Sequence, residues 1–96
     1  MNKPPKHLSA SARKLWQQLA DEIELDAGGA LMLTLLCEAC DRRDQARAAI
    51  AKEGATYVDR FGQHKVSPWV AIERDSTLAV QRAYHALGLD LASEAS

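Results

Sequence analysis

The sequence predicts a mostly α-helical protein of three helices, one of them long, with a short β-hairpin or extended turn before the last helix. Three observations carry that prediction. Apolar residues recur three and four positions apart in three separate stretches, which is the repeat of one helix face. Each stretch has a start signal in front of it, Ser9 or Ser11, then Asp26, then Ser67-Pro68, and the second and third run into Gly54 and Gly88. Between Ala55 and Val66 the helical spacing is lost, and the β-favouring Thr56, Tyr57, Val58 and Val66 surround Gly62, where a turn would reverse the chain.

Residues 1–8 are expected to form a flexible arm, because Pro4-Pro5 lacks amide donors and restricts the preceding residue. In the first helix Ala12, Leu15, Trp16, Leu19 and Ile23 define the apolar face, and the pattern ends near Leu25. Asp26 is the N-cap expected for the second helix, although Gly28 and Gly29 weaken its first turn by about 1 kcal/mol each relative to alanine. From there the pattern is unbroken to Glu53, which gives a rod of roughly 40 Å at 1.5 Å per residue. Its first half, Ala30 to Cys37, is apolar on nearly every side and must be covered on every side, by the other helices and by a neighbouring subunit. In the third helix proline occupies the first position, where its missing amide is harmless. Trp69, Ile72, Ala79, Val80, Ala83, Tyr84 and Leu87 mark its inner side, and Gly88-Leu89 suits its stop. Residues 9–89 thus read as a single helical domain and 90–96 as a disordered tail.

A chain of 96 residues buries only roughly 60–65% of the surface it exposes when unfolded, so its own core is marginal. With 47% hydrophobic residues there are apolar side chains left for a partner, and a homo-oligomer is expected. The net charge of -1 counts against strong nucleic-acid binding by a single copy. The charges are nevertheless segregated: Lys3, Lys6, Arg13 and Lys14 precede the first acidic residue, and Asp21, Glu22, Glu24 and Asp26 follow together. Symmetric assembly turns such an imbalance into repeated bands of charge. The longest apolar run is far shorter than the ~20 residues a bilayer requires, and no secretory signal is recognisable, so a soluble intracellular protein with no membrane contact is expected.

Most candidate chemistry has a plain structural explanation. Cys37 and Cys40 form a Cys-x-x-Cys, but zinc needs about four ligands and neither a second cysteine pair nor a close histidine pair accompanies them. They lie inside a helix rather than at the N-terminus that activates redox thiols, and they read as small buried hydrophobes. His7, His64 and His85 have no nucleophile or carboxylate at diagnostic spacing, and no glycine-rich phosphate loop occurs. Neither a catalytic site, a metal nor a cofactor is expected. Glu73-Arg74-Asp75 reads as a solvated or salt-bridged face and Trp16 and Trp69 as core. The basic residues are the functional candidates, because lysine and arginine supply the phosphate neutralisation that dominates DNA affinity. They are Lys3, Lys6, Arg13 and Lys14 around the first helix, Arg42, Arg43 and Arg47 on the long helix, and Arg60 and Lys65 beside the turn.

The order of several features adds a resemblance that spans roughly residues 4–89. It comprises Pro4-Pro5-Lys6-His7-Leu8-Ser9 before a helix with Leu15-Trp16, then Leu35-Leu36-Cys37-Glu38-Ala39 leading to Arg42-Arg43 and the Glu53-Gly54 stop. Gly62 in a turn, Pro68, Ile72-Glu73-Arg74-Asp75 and Leu87-Gly88-Leu89 complete it. In this arrangement the chain resembles the small terminase subunits of tailed bacteriophages. The resemblance implies a non-enzymatic helical protein in the host cytoplasm that assembles into a ring of about eight to ten copies. It further implies recognition of double-stranded viral DNA and modulation of the ATPase and nuclease of the large terminase subunit during genome packaging. Members often finish with a Ser- and Arg-containing tail, whereas residues 90–96 here carry no positive charge.

Two other classes compete. A helix-turn-helix-like transcriptional regulator would use the Leu25-to-Gly29 turn, but the second helix is too long and too apolar for a recognition helix. A helical adaptor without nucleic-acid binding is favoured by the near-neutral charge, and salt-dependent DNA retention would separate it from the other two.

Overall fold

The computed structural model describes residues 3–89, so the tail at 90–96 and the first two residues of the arm lie outside the described residues. The elements are α1 (Ala10–Glu22), α2 (Ala27–Glu53), β1 (Thr56–Val58), β2 (His64–Val66) and α3 (Pro68–Ala86).

Each helix starts where a short polar side chain can accept an orphan amide. The Ser9 hydroxyl accepts from the amide of Ala12 at 3.1 Å, Asp26 Oδ1 from that of Gly29 at 2.6 Å, and the Ser67 hydroxyl from that of Trp69 at 3.2 Å. The stops are equally local. Gly54 takes a φ of 90°, a conformation that disfavours any side chain, and its amide donates to the carbonyl of Ile50. Helix α1 ends earlier than its apolar spacing predicts: Ile23 is already extended as the C-cap and only half-buried, because the chain must straighten there to reach Asp26.

Helix α2 is the central element, with α1 packed against one side and α3 against another. Both neighbours run antiparallel to it. Ser9 meets Asp41 while Trp16 meets Thr34, and Arg47 meets Glu73 while Met32 lines a groove with Ala86. The core lies where the three helices overlap: Trp16 and Ala20 from α1, Leu33, Leu36, Cys37 and Cys40 from α2, and Ala83 from α3, with Leu8 inserted from the segment before α1. Toward the C-terminal end of α2 the seam narrows to small residues. Ala39 and Ala46, two turns apart on α2, and Ser76 and Ala83, two turns apart on α3, are all buried. Small side chains let the two backbones approach closely, but they cover little of the surface to either side.

That narrow seam accounts for two departures from the sequence reading of α3. Ile72, assigned to the inner side, is exposed, and Trp69 is half-buried and lies outside the core cluster. Val80, Tyr84 and Leu87 do pack against the core. Leu8 is 4% exposed, so the segment before α1 is anchored at its inner end.

The hairpin pairs Thr56 with Val66, Tyr57 with Lys65 and Val58 with His64. Every residue of both strands is exposed. Its base is tied to the helices by the Ser67 amide donating to the Ala55 carbonyl at 2.8 Å. At its tip the Asp59 carboxylate accepts from the amides of Phe61 and Gln63, at 2.8 and 2.9 Å, and Gly62 turns the chain with a φ of 77°. With the hairpin beyond the three-helix core, the molecule measures 54 × 31 × 21 Å.

Candidate nucleic-acid interface

The nine basic residues singled out from the sequence fall into three groups. Lys3 and Lys6 lie on the segment before α1, and Arg13 and Lys14 lie on α1; all four are exposed. Two contacts hold that segment to α2: His7 Nε2 is 2.8 Å from Glu38 Oε2, and Asp41 accepts from both the amide and the hydroxyl of Ser9, at 2.9 and 2.5 Å. The same capping serine therefore starts α1 and joins it to α2. The helix is positioned from the side of Trp16, whose indole N–H donates to the Thr34 hydroxyl at 3.2 Å. With the Ala12 and Trp16 face buried, Arg13 and Lys14 are left toward solvent, and among the described residues neither has an ion-pair partner.

The second group, on α2, is differently placed. Arg43 is half-buried and its guanidinium bonds Asp44 at 3.2 Å. Arg47 is paired with Glu73 of α3 at 3.1 Å, and Glu73 also accepts from the Thr77 hydroxyl. Arg43 and Arg47 are one turn apart, as the spacing predicts, but each is committed to its own carboxylate. Each pair has one half-buried and one exposed member, so solvent screens both; each contributes at most about 1 kcal/mol, and a phosphate can compete for the arginine. Arg42 is exposed and borders the groove between α2 and α3. Beside Arg43, Asp41 and Asp44 line a groove of about 530 Å³ with His7, Ser9 and Ser11. Carboxylates there repel phosphate, so this surface interrupts any basic track from α1 to α2.

The third group is the hairpin. Arg60 stacks its guanidinium over the Phe61 ring, 4.9 Å from the centroid, and Lys65 stands opposite Tyr57. Phe61 is 75% exposed at the tip. Sequence reasoning did not single out Phe61 or Asp59. The signal available was Asp59-x-x-Gly62, an Asx-type turn that presents the residues between them.

Cys37 and Cys40 are free thiols within the core, not at this surface. Burial, reinforced by the charges of Cys40 and Asp41, pushes the Cys37 thiol up to about 12, and burial also raises Cys40. Thiols so held are protonated at neutral pH and poor nucleophiles or ligands. Among the described residues no cluster of His, Cys, Asp and Glu has the geometry to hold a metal ion, and no helix is long and apolar enough to cross a membrane.

A family model described as phage terminase, small subunit, matches residues 12–96, covering α1 from its third residue, α2, the hairpin and α3 but not the segment before them. No curated protein and no solved structure gives a significant match.

Proposed function

Because the chain belongs to the phage terminase small-subunit family, we propose that it is a non-enzymatic component of the packaging machinery, working in the cytoplasm of the bacterial host. It binds double-stranded viral DNA, assembles as a homo-oligomeric ring of about eight to ten copies and modulates the ATPase and nuclease of the large terminase subunit. The observation that carries this reading is the family match over most of the chain. It is supported by the solvent-facing cations of α1 and the hairpin: Arg13 and Lys14, with Lys3 and Lys6 before them, and Arg60 and Lys65. Arg43 and Arg47 contribute after exchanging Asp44 and Glu73 for phosphate. One copy offers too little positive charge for tight binding, and a ring repeats the same cations around its axis.

Fluorescence anisotropy with a labelled duplex, across a salt series, tests the reading. Binding should weaken steeply with salt, and Arg13→Glu/Lys14→Glu should lower affinity by at least about tenfold and flatten the salt slope. The near-neutral charge favours a second reading, an adaptor that meets the large subunit without gripping DNA. Absence of salt-dependent DNA retention at any protein concentration would establish that one instead.

A further inference from the structure

The most conspicuous unexplained surface is the long side of the α2–α3 pair. Leu31 is 61% exposed, Leu35 46%, Leu78 42% and Ile72 37%, an unusual density of large apolar side chains for a chain this small. Leu35 opens onto a groove of about 440 Å³ that Met32, Ala79 and Ala83 also line, with Arg42 and Arg82 at its edge. Arg42 continues into a second depression beside Ile72, which Asp75, paired with Arg74, also lines. Among the described residues neither Arg42 nor Arg82 has an ion-pair partner. The groove is therefore apolar at its floor and positively charged at its rim.

The same chain carries the complementary surface. The α1–α2 elbow, Asp21-Glu22-Ile23-Glu24-Leu25-Asp26, presents four carboxylates and no cation. Asp21 accepts from Gln17 and Asp26 is used as the α2 cap, but Glu22 and Glu24 are exposed and have no ion-pair partner among the described residues. The half-buried Ile23 lies between them. Within one chain the elbow is held away from Arg42, which stands about 24 Å along the same helix from Asp26.

From these observations we infer that the α2–α3 groove is occupied by the α1–α2 elbow of a second copy of this chain, Glu22 and Glu24 meeting Arg42 and Arg82 while Ile23 covers the apolar floor. Groove against groove would bring like charges together, so the contact joins two different surfaces. A head-to-tail contact of that kind leaves one groove and one elbow free on each growing assembly, and closes as a ring when the rotation permits. The inference rests on the homo-oligomer reading above and supplies its interface.

The test uses the full chain and native mass spectrometry, with circular dichroism to verify helicity. All four charged side chains are exposed, so their reversal leaves the helices intact. The unsubstituted protein should form a discrete assembly. Arg42→Glu/Arg82→Glu and Glu22→Lys/Glu24→Lys should each bring the mass down to that of the 10.5 kDa chain, and the variant carrying all four changes should assemble again. If the unsubstituted chain is monomeric, the oligomer reading fails and this inference with it. If it assembles and Arg42→Glu/Arg82→Glu assembles equally well, the oligomer reading stands and the groove is not its interface. If both reversals dissociate the assembly but their combination stays monomeric, the two surfaces are not partners and the inference is overturned.

Discussion

At the residue scale, most of the decisive positions are buried ones whose chemistry is set by their neighbours. Trp16 is 3% exposed, and its indole N–H donates to Thr34, whose hydroxyl in turn donates to the carbonyl of Ala30. The largest aromatic of the core thus introduces no unpaired polar group, the condition under which a buried tryptophan stabilises rather than penalises. Cys37 is fully buried beside Leu33 and Leu36 and makes a different demand. Its thiol has an ordinary value of 9.0 and is held near 12 in the folded chain, so between those values the unfolded chain gives up a proton that the folded chain keeps. The thiol's contribution is complete below about pH 9 and is lost as pH rises toward 12. Chemical denaturation across that range should show stability falling with pH, and Cys37→Ala should flatten the fall relative to the parent. In the same protein at neutral pH, alkylation by iodoacetamide should be slow until denaturant is added. The Cys-x-x-Cys spacing was legible as a core feature because it falls inside a strongly helical pattern. The direction and cause of the thiol shift required knowing what surrounds it.

At the scale of elements, the starts of the helices were legible and their partnerships were not. Ser9, Asp26 and Ser67 each cap within three residues of themselves, so the information is local. Asp41 bonding Ser9, by contrast, joins positions 32 apart, and nothing in the spacing of either residue announces it. The same holds for Arg47 and Glu73, 26 positions apart, which turned a residue read as a free basic candidate into one side of an interhelical pair. The hairpin shows the opposite balance. Its strands bury nothing, and its turn is held by one carboxylate, that of Asp59. Asp59→Ala should change global stability by no more than about 0.5 kcal/mol, the usual range for a surface position. Limited proteolysis should nevertheless cut the 59–63 turn faster than in the parent, because the turn opens locally without unfolding the helices.

At the scale of the molecule, shape and charge reinforce one another. The radius of gyration is 16.4 Å, against about 12–13 Å for a compact chain of this length. An elongated body has more surface for its volume, so the three-helix core cannot cover the apolar faces of Leu31, Leu35 and Leu78. Leu35 lies on the groove of the α2–α3 pair that Arg42 and Arg82 also line, while the acidic elbow bears Glu22 and Glu24. An assembly joined through these surfaces combines salt-sensitive ion pairs with salt-insensitive burial. Sedimentation velocity from low to molar salt should therefore show the assembly loosening but not dissolving into single chains. Complete dissociation would assign the contact to charge alone, and no response would assign it to apolar burial alone.

By itself the sequence determined the element types and their starts, the central long helix, the turn at Gly62 and membership of the phage terminase small-subunit family, because caps, periodicity and motif order are all properties of near neighbours along the chain. Only the tertiary structure decided how far each apolar face is covered. Ile72 has the right spacing for an inner face and is exposed; Leu8, in a segment read as a flexible arm, is buried. Periodicity records that a face is apolar, whereas burial depends on whether another element has enough side-chain bulk to reach it. Here no element reaches over Leu31, Leu35 and Leu78, whereas Leu8 joins the core formed by the helices.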